Sequence, residues 1–230
     1  MRLAKYLASC GLGSRRSCEI LIKSDQIKVN GISINTPAVD IDPSTDDIKY
    51  KNLPVRPTEL VYYLLNKPIG YTVTRKDNYA KKIVTSLIPE SPPVWPVGRL
   101  DVGTSGLLIM TNDGRLTQIM THPKYNKEKE YIIKTNTDLT PEVIAKIQKG
   151  TNLEDGLIKP DFFEKTNEQT YKIIIHSGKK RVIRRLMAHY QRKTLFLERI
   201  RIEGLELDGL AAGEYRPLTA KEIEGLLDNE

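Results

Sequence analysis

The sequence predicts an α+β chain in two parts: a small N-terminal unit of two helices and a hairpin, then a larger domain on a mixed, largely antiparallel sheet with flanking helices. Three observations carry this. Helical spacing gives way to an Asn-Gly hairpin near residue 30, a Pro-interrupted stretch follows at 52–59, and beyond it strands and helices mix without a βαβ repeat.

In the first part, RLAKYLAS at 2–9 places Leu3, Tyr6 and Leu7 at helical spacing, and Gly11 and Gly13 close that helix. Ser14 is placed to cap a second helix, RRSCEILIKSD, with Ile20, Leu21 and Ile22 as its apolar contacts and Arg15 and Arg16 facing outward. QIKVNGISIN alternates apolar and polar residues around Asn30–Gly31, the dipeptide suited to a two-residue turn with both φ angles positive. DIDPSTDDIKY adds a strand. KNLPVRPTE, with Pro54 and Pro57, reads as a linker, so the expected division is 1–55, a linker at 56–59, and 60–230.

In the second part, LVYYLLN and YTVTR read as strands joined by a Lys67–Pro68–Ile69–Gly70 turn, and YAKKIVTSLI has helical spacing. GLLIMTND, EYIIKTN and YKIIIHS read as strands. TPEVIAKIQKG is a helix with Thr140 as cap, Pro141 at its first position and Gly150 beyond its end. VIRRLMAHYQ is another, turning Val182, Leu186, Met187 and Tyr190 one way and Arg184 and Arg185 another.

Composition narrows the function. The net charge of +7 is uneven: residues 176–201 hold nine Lys or Arg (Lys179, Lys180, Arg181, Arg184, Arg185, Arg192, Lys193, Arg199, Arg201) against the single acid Glu198. Such a concentration marks a polyanion partner, because each cation set against a phosphate releases condensed counterions. Cys10 and Cys18 have no partner set for zinc or a disulfide framework, which fits a reducing compartment. No leader-like stretch opens the chain and no run approaches the ~18–20 apolar residues of a membrane span, so a soluble, cytoplasmic protein is expected, with a monomer as the default state. Dinucleotide and phosphate-loop fingerprints, a paired-His metal helix, Cys-x-x-Cys and the zinc-deaminase signature are all missing, and His122, His176 and His189 stand isolated.

What remains is a carboxylate. In VGRLDVGTSGLLIMTNDG (97–114), Asp101 stands just before an apolar run that reads as a buried strand. An Asp is ionised at neutral pH, and beside a cation in a pocket it is suited to act as a nucleophile; without one it is a turn residue ahead of a strand.

GRLDVGTSGLLIMTNDG resembles the catalytic motif of the pseudouridine synthases, of the RsuA/RluB type that modifies ribosomal RNA. LLNKPIGY (64–71), THPKYNKEKEY (121–131) and GKKRVIRRL (178–186) agree with it in order, and residues 2–31 resemble the small RNA-binding module named after the fourth small-subunit ribosomal protein. The resemblance extends to the closing GEYRPLTAKEI. It implies that Asp101 is the catalytic nucleophile, that Tyr131 stacks on an extruded uracil, and that Arg184 pairs with the Asp101 carboxylate. It further implies that the Gly-rich turn after Asp101 leaves room for a nucleotide, and that the reaction needs no cofactor or metal. RNA contacts are expected from Arg2, Lys5, Arg15, Arg16 and Lys28 in the small unit, and from Arg99, Lys179, Lys180, Arg181 and Arg185 near the site. The chain departs from the family pattern around Arg184, where Ser177, Lys179, Val182 and Leu186 replace Glu, Arg, Gln and Met. LGSRR and NDGRL lean toward a large-subunit ribosomal RNA target. The alternatives are a small-subunit target, a non-catalytic RNA-binding ribosome-assembly protein and, more distantly, an RNA glycosylase using Asp101.

Overall fold

The computed structural model of the chain describes residues 1–74 and 82–228. They fall into two compact units, Met1–Leu60 with Ser91–Pro93, and Val61–Glu90 with Val94–Glu230.

In the first unit, α1 (Leu3–Ser9) and α2 (Arg15–Lys23) precede a sheet of β1 (Ile27–Val29), β2 (Ile32–Ile34), β3 (Ile48–Tyr50) and β4 (Leu53–Pro54), ordered β2-β1-β3-β4. The Ser14 side chain accepts from the Ser17 amide at 3.1 Å, capping α2 as its residue type predicts. Val29 pairs with Ile32, leaving Asn30 (φ 52°) and Gly31 (φ 81°) as the two-residue turn. Leu3, Leu7, Cys18, Ile22 and Ile27 are wholly buried together. Ile20, expected among these contacts, is instead 71% exposed, since α2 turns Cys18 and Ile22 inward and Ile20 lies on the opposite side.

The second unit is built on one mixed sheet. Its strands are β5 (Tyr62–Lys67), β6 (Trp95–Pro96), β7 (Ser105–Thr111), β8 (Lys129–Thr135), β11 (Phe162–Asn167), β12 (Thr170–Ile175), β13 (Thr194–Ile202), β14 (Leu205–Glu206) and β15 (Tyr215–Pro217). The order is β11-β12-β8-β13-β7-β5-β15, with β6 on β7 and β14 on β13; every pairing is antiparallel except β13 with β7. A separate hairpin joins β9 (Thr151–Leu153) to β10 (Gly156–Ile158). One face buries Leu65, Leu108, Met110, Ile133 and Ile173 with residues of α4 (Pro141–Lys149) and α5 (Val182–His189). The other buries Leu64, Leu107 and Ile109 with residues of α3 (Gly114–Thr121) and α6 (Ala220–Leu227). With both faces covered, β7 reads as an unbroken apolar run: Leu107, Leu108, Ile109 and Met110 are all 0% exposed. Each such side chain contributes roughly 1.5–3 kcal/mol, so what β7 carries at its start is firmly placed.

Local chemistry sets the helix ends. Thr140 and Thr219 cap α4 and α6, the latter in a capping box with Glu222, and Asp113 accepts from the Arg115 amide at the start of α3. Two expected elements differ. Residues 71–74 make only an isolated bridge from Thr72 to Ile83, with Arg75 outside the described residues. The helix expected at 79–88 lies outside them over 79–81 and is otherwise a single 3-10 turn, Val84–Leu87, because Ile83 on one side and Ile88 on the other are extended. Among the described residues no helix is long and apolar enough to cross a membrane.

Candidate active site

Asp101 lies in the turn that feeds β7, and each backbone carbonyl from 101 to 104 is held. The Lys67 Nζ donates to Asp101 O at 3.3 Å and to Thr104 O at 2.7 Å, and the Thr104 amide also donates to Asp101 O at 3.0 Å. The Gly70 amide donates to Val102 O at 2.8 Å, and the Arg184 Nη2 to Gly103 O at 2.6 Å. Asp101 itself is exposed, and its carboxylate makes no hydrogen bond or ion pair among the described residues. A rigid backbone thus presents an unencumbered carboxylate.

Lys67 is the unforeseen member. Expected in a turn, it closes β5 and is 0% exposed, its ammonium bonding Pro68 O at 3.0 Å as well as the two turn carbonyls. Burial pulls its pKa down to about 8, against the opposing attraction of Asp101. A Lys ending the apolar strand YYLLNK was the available signal.

Arg184 does not pair directly with Asp101. Its guanidinium reaches Gly103 O, Thr104 Oγ1 at 3.4 Å and Thr194 O at 3.3 Å, so the geometry that anchors it to the turn's backbone leaves the carboxylate to solvent. Burial, then the nearby Arg181, lower its pKa, and Asp101 opposes them: the attraction acts through space without contact.

Tyr131 reaches the same region through sheet register. Lys67 pairs with Gly106, Gly106 with Arg199, and Arg199 with Tyr131, in one row across β5, β7, β13 and β8. Tyr131 is buried at 8% exposed, and its hydroxyl has no hydrogen bond among the described residues. The row also corrects the reason for the glycines. At φ +106° a Cβ on Gly106 would lie 2.2 Å from Arg199 O and 2.7 Å from Arg199 N, so Gly106 is required by the approach of β13, not by a nucleotide. Gly103 is different: it is exposed, and a Cβ there would meet only Arg184 Nη2, at 3.6 Å.

The basic window divides. Lys180 and Arg181 are exposed, as is Arg99. Lys179 is exposed and donates to Asp155 O, and Arg185 makes a two-pronged pair with the Asp155 carboxylate at 2.8 and 2.7 Å. Arg199 is buried at 3% exposed, with Nε on Leu107 O at 2.8 Å and Nη2 unpartnered, and Arg201 pairs with Glu128 and Glu130. The reason is that TLFLERIRI is a central strand and not a solvated face. In the small unit Lys5, Arg15 and Arg16 are exposed and Lys28 is half-buried, whereas Arg2 is paired with Asp40 at 3.2 Å. His122 Nδ1 accepts from the Lys124 amide, and His176 pairs with Asp161. Among the described residues no cluster of His, Cys, Asp or Glu could hold a metal ion.

The chain belongs to the RNA pseudouridylate synthase family, whose model matches residues 61–189, behind an S4 domain matched at residues 1–47. It is an RNA pseudouridine synthase. Among curated relatives it is 35% identical to ribosomal large subunit pseudouridine synthase B of Bacillus subtilis over 98% of this chain and 95% of the relative. It is 31% identical to the dual-specificity RNA pseudouridine synthase RluF of Escherichia coli, covering 97% of this chain and 77% of that one. A crystal structure of a pseudouridylate synthase matches with a TM-score of 0.72 at 28% identity, over 98% of this chain and 99% of the other.

Proposed function

We propose that this chain isomerises a specific uridine of large-subunit ribosomal RNA, with Asp101 as the nucleophile, Tyr131 as the ring on which the extruded uracil stacks, and Arg184 as the cation that orients the Asp101 turn. In the conversion the bond from ribose C1′ to uracil N1 breaks, the base turns, and C1′ bonds to C5; the C5 proton leaves and N1 gains one. No electron is exchanged, so a placed carboxylate, with bound RNA excluding water from it, is chemically sufficient. The observation that carries this reading is the complete hydrogen bonding of the 101–104 carbonyls around a carboxylate left free. Placement to within about 0.5 Å is what nucleophilic attack demands of a side chain.

Extruding a stacked base costs a few kcal/mol, which aromatic stacking and phosphate contacts offset. We assign residues 1–55 to docking a structured stem-loop through Lys5, Arg15 and Arg16, residues 56–59 to a linker, and 60–230 to catalysis, with Arg99, Lys180 and Arg181 as the free cations near the site. The large-subunit target is supported by the relative named for that subunit. The protein is read as a monomer, acting where ribosomal RNA is found.

The test is chemical mapping of pseudouridines in ribosomal RNA from cells with and without the protein, with Asp101→Asn as rescue. One large-subunit site should vanish and return only with the wild type. A vanished small-subunit site would move the target. No vanished site, with RNA still bound by the purified protein, would replace catalysis by a binding role.

A further inference from the structure

The β9–β10 hairpin pairs with no other strand among the described residues, yet it touches α5 near both ends. At one end the Thr151 hydroxyl and the Tyr190 hydroxyl share a hydrogen bond of 2.9 Å, Tyr190 being the residue that ends α5. At the other, Leu153 pairs with Gly156 and leaves Glu154 and Asp155 as the turn. The Asp155 carboxylate takes both prongs of Arg185, and its carbonyl takes Lys179 Nζ, which lies over the turn 3.4 Å from where a Gly156 Cβ would stand.

The segment bound in this way leads directly into Arg184. Gly178, Lys179, Lys180 and Arg181 are exposed, and Arg181 enters α5 at φ 52° with no side-chain cap. A non-Gly residue there costs on the order of 1 kcal/mol or more and persists only where its surroundings impose it. The apolar face of α5, with Val182, Ile183, Leu186 and Met187 buried, holds the helix to the sheet. Apolar contact is non-directional, however, and a two-pronged guanidinium–carboxylate pair is directional.

Building on the assignment of Asp101 and Arg184 made above, we propose that the hairpin is a strap that indexes α5, with Asp155 a positioning residue acting through Arg185 and Lys179 to set Arg184 on the Gly103 carbonyl. Asp155 touches neither substrate nor Asp101 in this role. A shift of about 1 Å at such a point can cost ~10²-fold in rate, so releasing the strap slows chemistry more than it weakens RNA binding.

The experiment compares wild type, D155N, R184K and D155N/R184K in single turnover on unmodified transcripts of large-subunit ribosomal RNA, with RNA affinity measured in parallel. D155N is expected to lower the rate about tenfold to fiftyfold while affinity changes less than threefold, and to add almost nothing to R184K, because both act at one point. R185Q breaks the same pair from the other side and is expected to match D155N; it carries the test if D155N does not fold. An equal slowing by D155N in the wild-type and R184K backgrounds would overturn the proposal. So would an unchanged rate with tighter RNA binding, which would make Asp155 only a competitor of phosphate for Arg185. A wild type silent on this RNA would count against the target proposed above, and the strap would then be judged by amide exchange. In D155N the amides of Arg185 and Thr104 should exchange faster than in wild type, and unchanged exchange at both would overturn it.

Discussion

Arg199 and Arg201 stand two residues apart on β13, and their surroundings separate two kinds of buried charge. On the side of Arg201 every cation meets a carboxylate. Its Nε lies 2.6 Å from Glu130, its Nη2 pairs with Glu128, and Lys172 lies 2.8 Å from the other Glu130 oxygen. Burial alone would raise the Glu130 carboxyl, and the Lys172 and Arg201 contacts outweigh it and hold the group below its usual value. Around the Asp101 turn the cations meet carbonyls instead: Lys67 bonds three, Arg184 two, and Arg199 the carbonyl of Leu107. A carbonyl satisfies a donor and leaves the net charge standing. The first network is therefore internally neutral and serves the fold, whereas the second keeps a positive potential beside a free carboxylate, suited to a polyanionic substrate.

The comparison is broken most directly by removing one hub from each side. Lys67→Met leaves the Pro68 and Thr104 carbonyls without this donor and the Asp101 carbonyl with the Thr104 amide alone, and the turn loses its central anchor. Activity per folded molecule is expected to fall at least tenfold, and unfolding free energy by about 2 kcal/mol, unsatisfied carbonyls being partly offset by the relief of a buried charge. Turnover together with urea unfolding measures both, and full activity in this variant would end the claim that Lys67 fixes the turn. Glu130→Gln should cost a similar stability, about 2 kcal/mol, by leaving Lys172 and Arg201 underpaired. Its activity per folded molecule should stay within twofold of wild type. A large loss there would mean that the neutral network reaches the site after all.

How far the sequence revealed these regions depends on what each residue needs from distant chain. Ser14, Asn30–Gly31, Thr140 and the apolar run of β7 act within a few neighbours, and each stands where its spacing placed it. Asp101, Tyr131 and Arg184 were read from motif resemblance, and the structure brings Arg184 to the turn and Tyr131 onto the row that crosses Gly106. Lys67, Asp155 and Arg199 were not legible, because burial of a cation, or pairing of an acid some 30 residues from its partner, is decided by tertiary packing. β13 was hidden for the same reason, since the charges of LERIR resemble a solvated patch until neighbouring strands and glutamates surround them.

An effect of pH bears on the same contrast. Burial lowers both Lys67 and Lys129 from 10.5 to about 8, Lys129 with help from Arg199 and against Glu203. In the unfolded chain both keep the ordinary value, so between about pH 8 and 10 the unfolded state binds more protons than the folded one. Unfolding free energy must then rise with pH across that window, the cost of burying the two charges being fully present below pH 8 and relieved above it. Urea unfolding from pH 7.5 to 9.5 is expected to show a rise of a few kcal/mol, roughly halved in Lys67→Met. Activity should move the other way, because a neutral Lys67 amine has two donors for three carbonyls and adds no positive potential at the turn. A stability curve that stays flat through this window would mean that the two lysines do not carry their charge in the dry interior, and the contrast between the two networks would then lose its electrostatic basis.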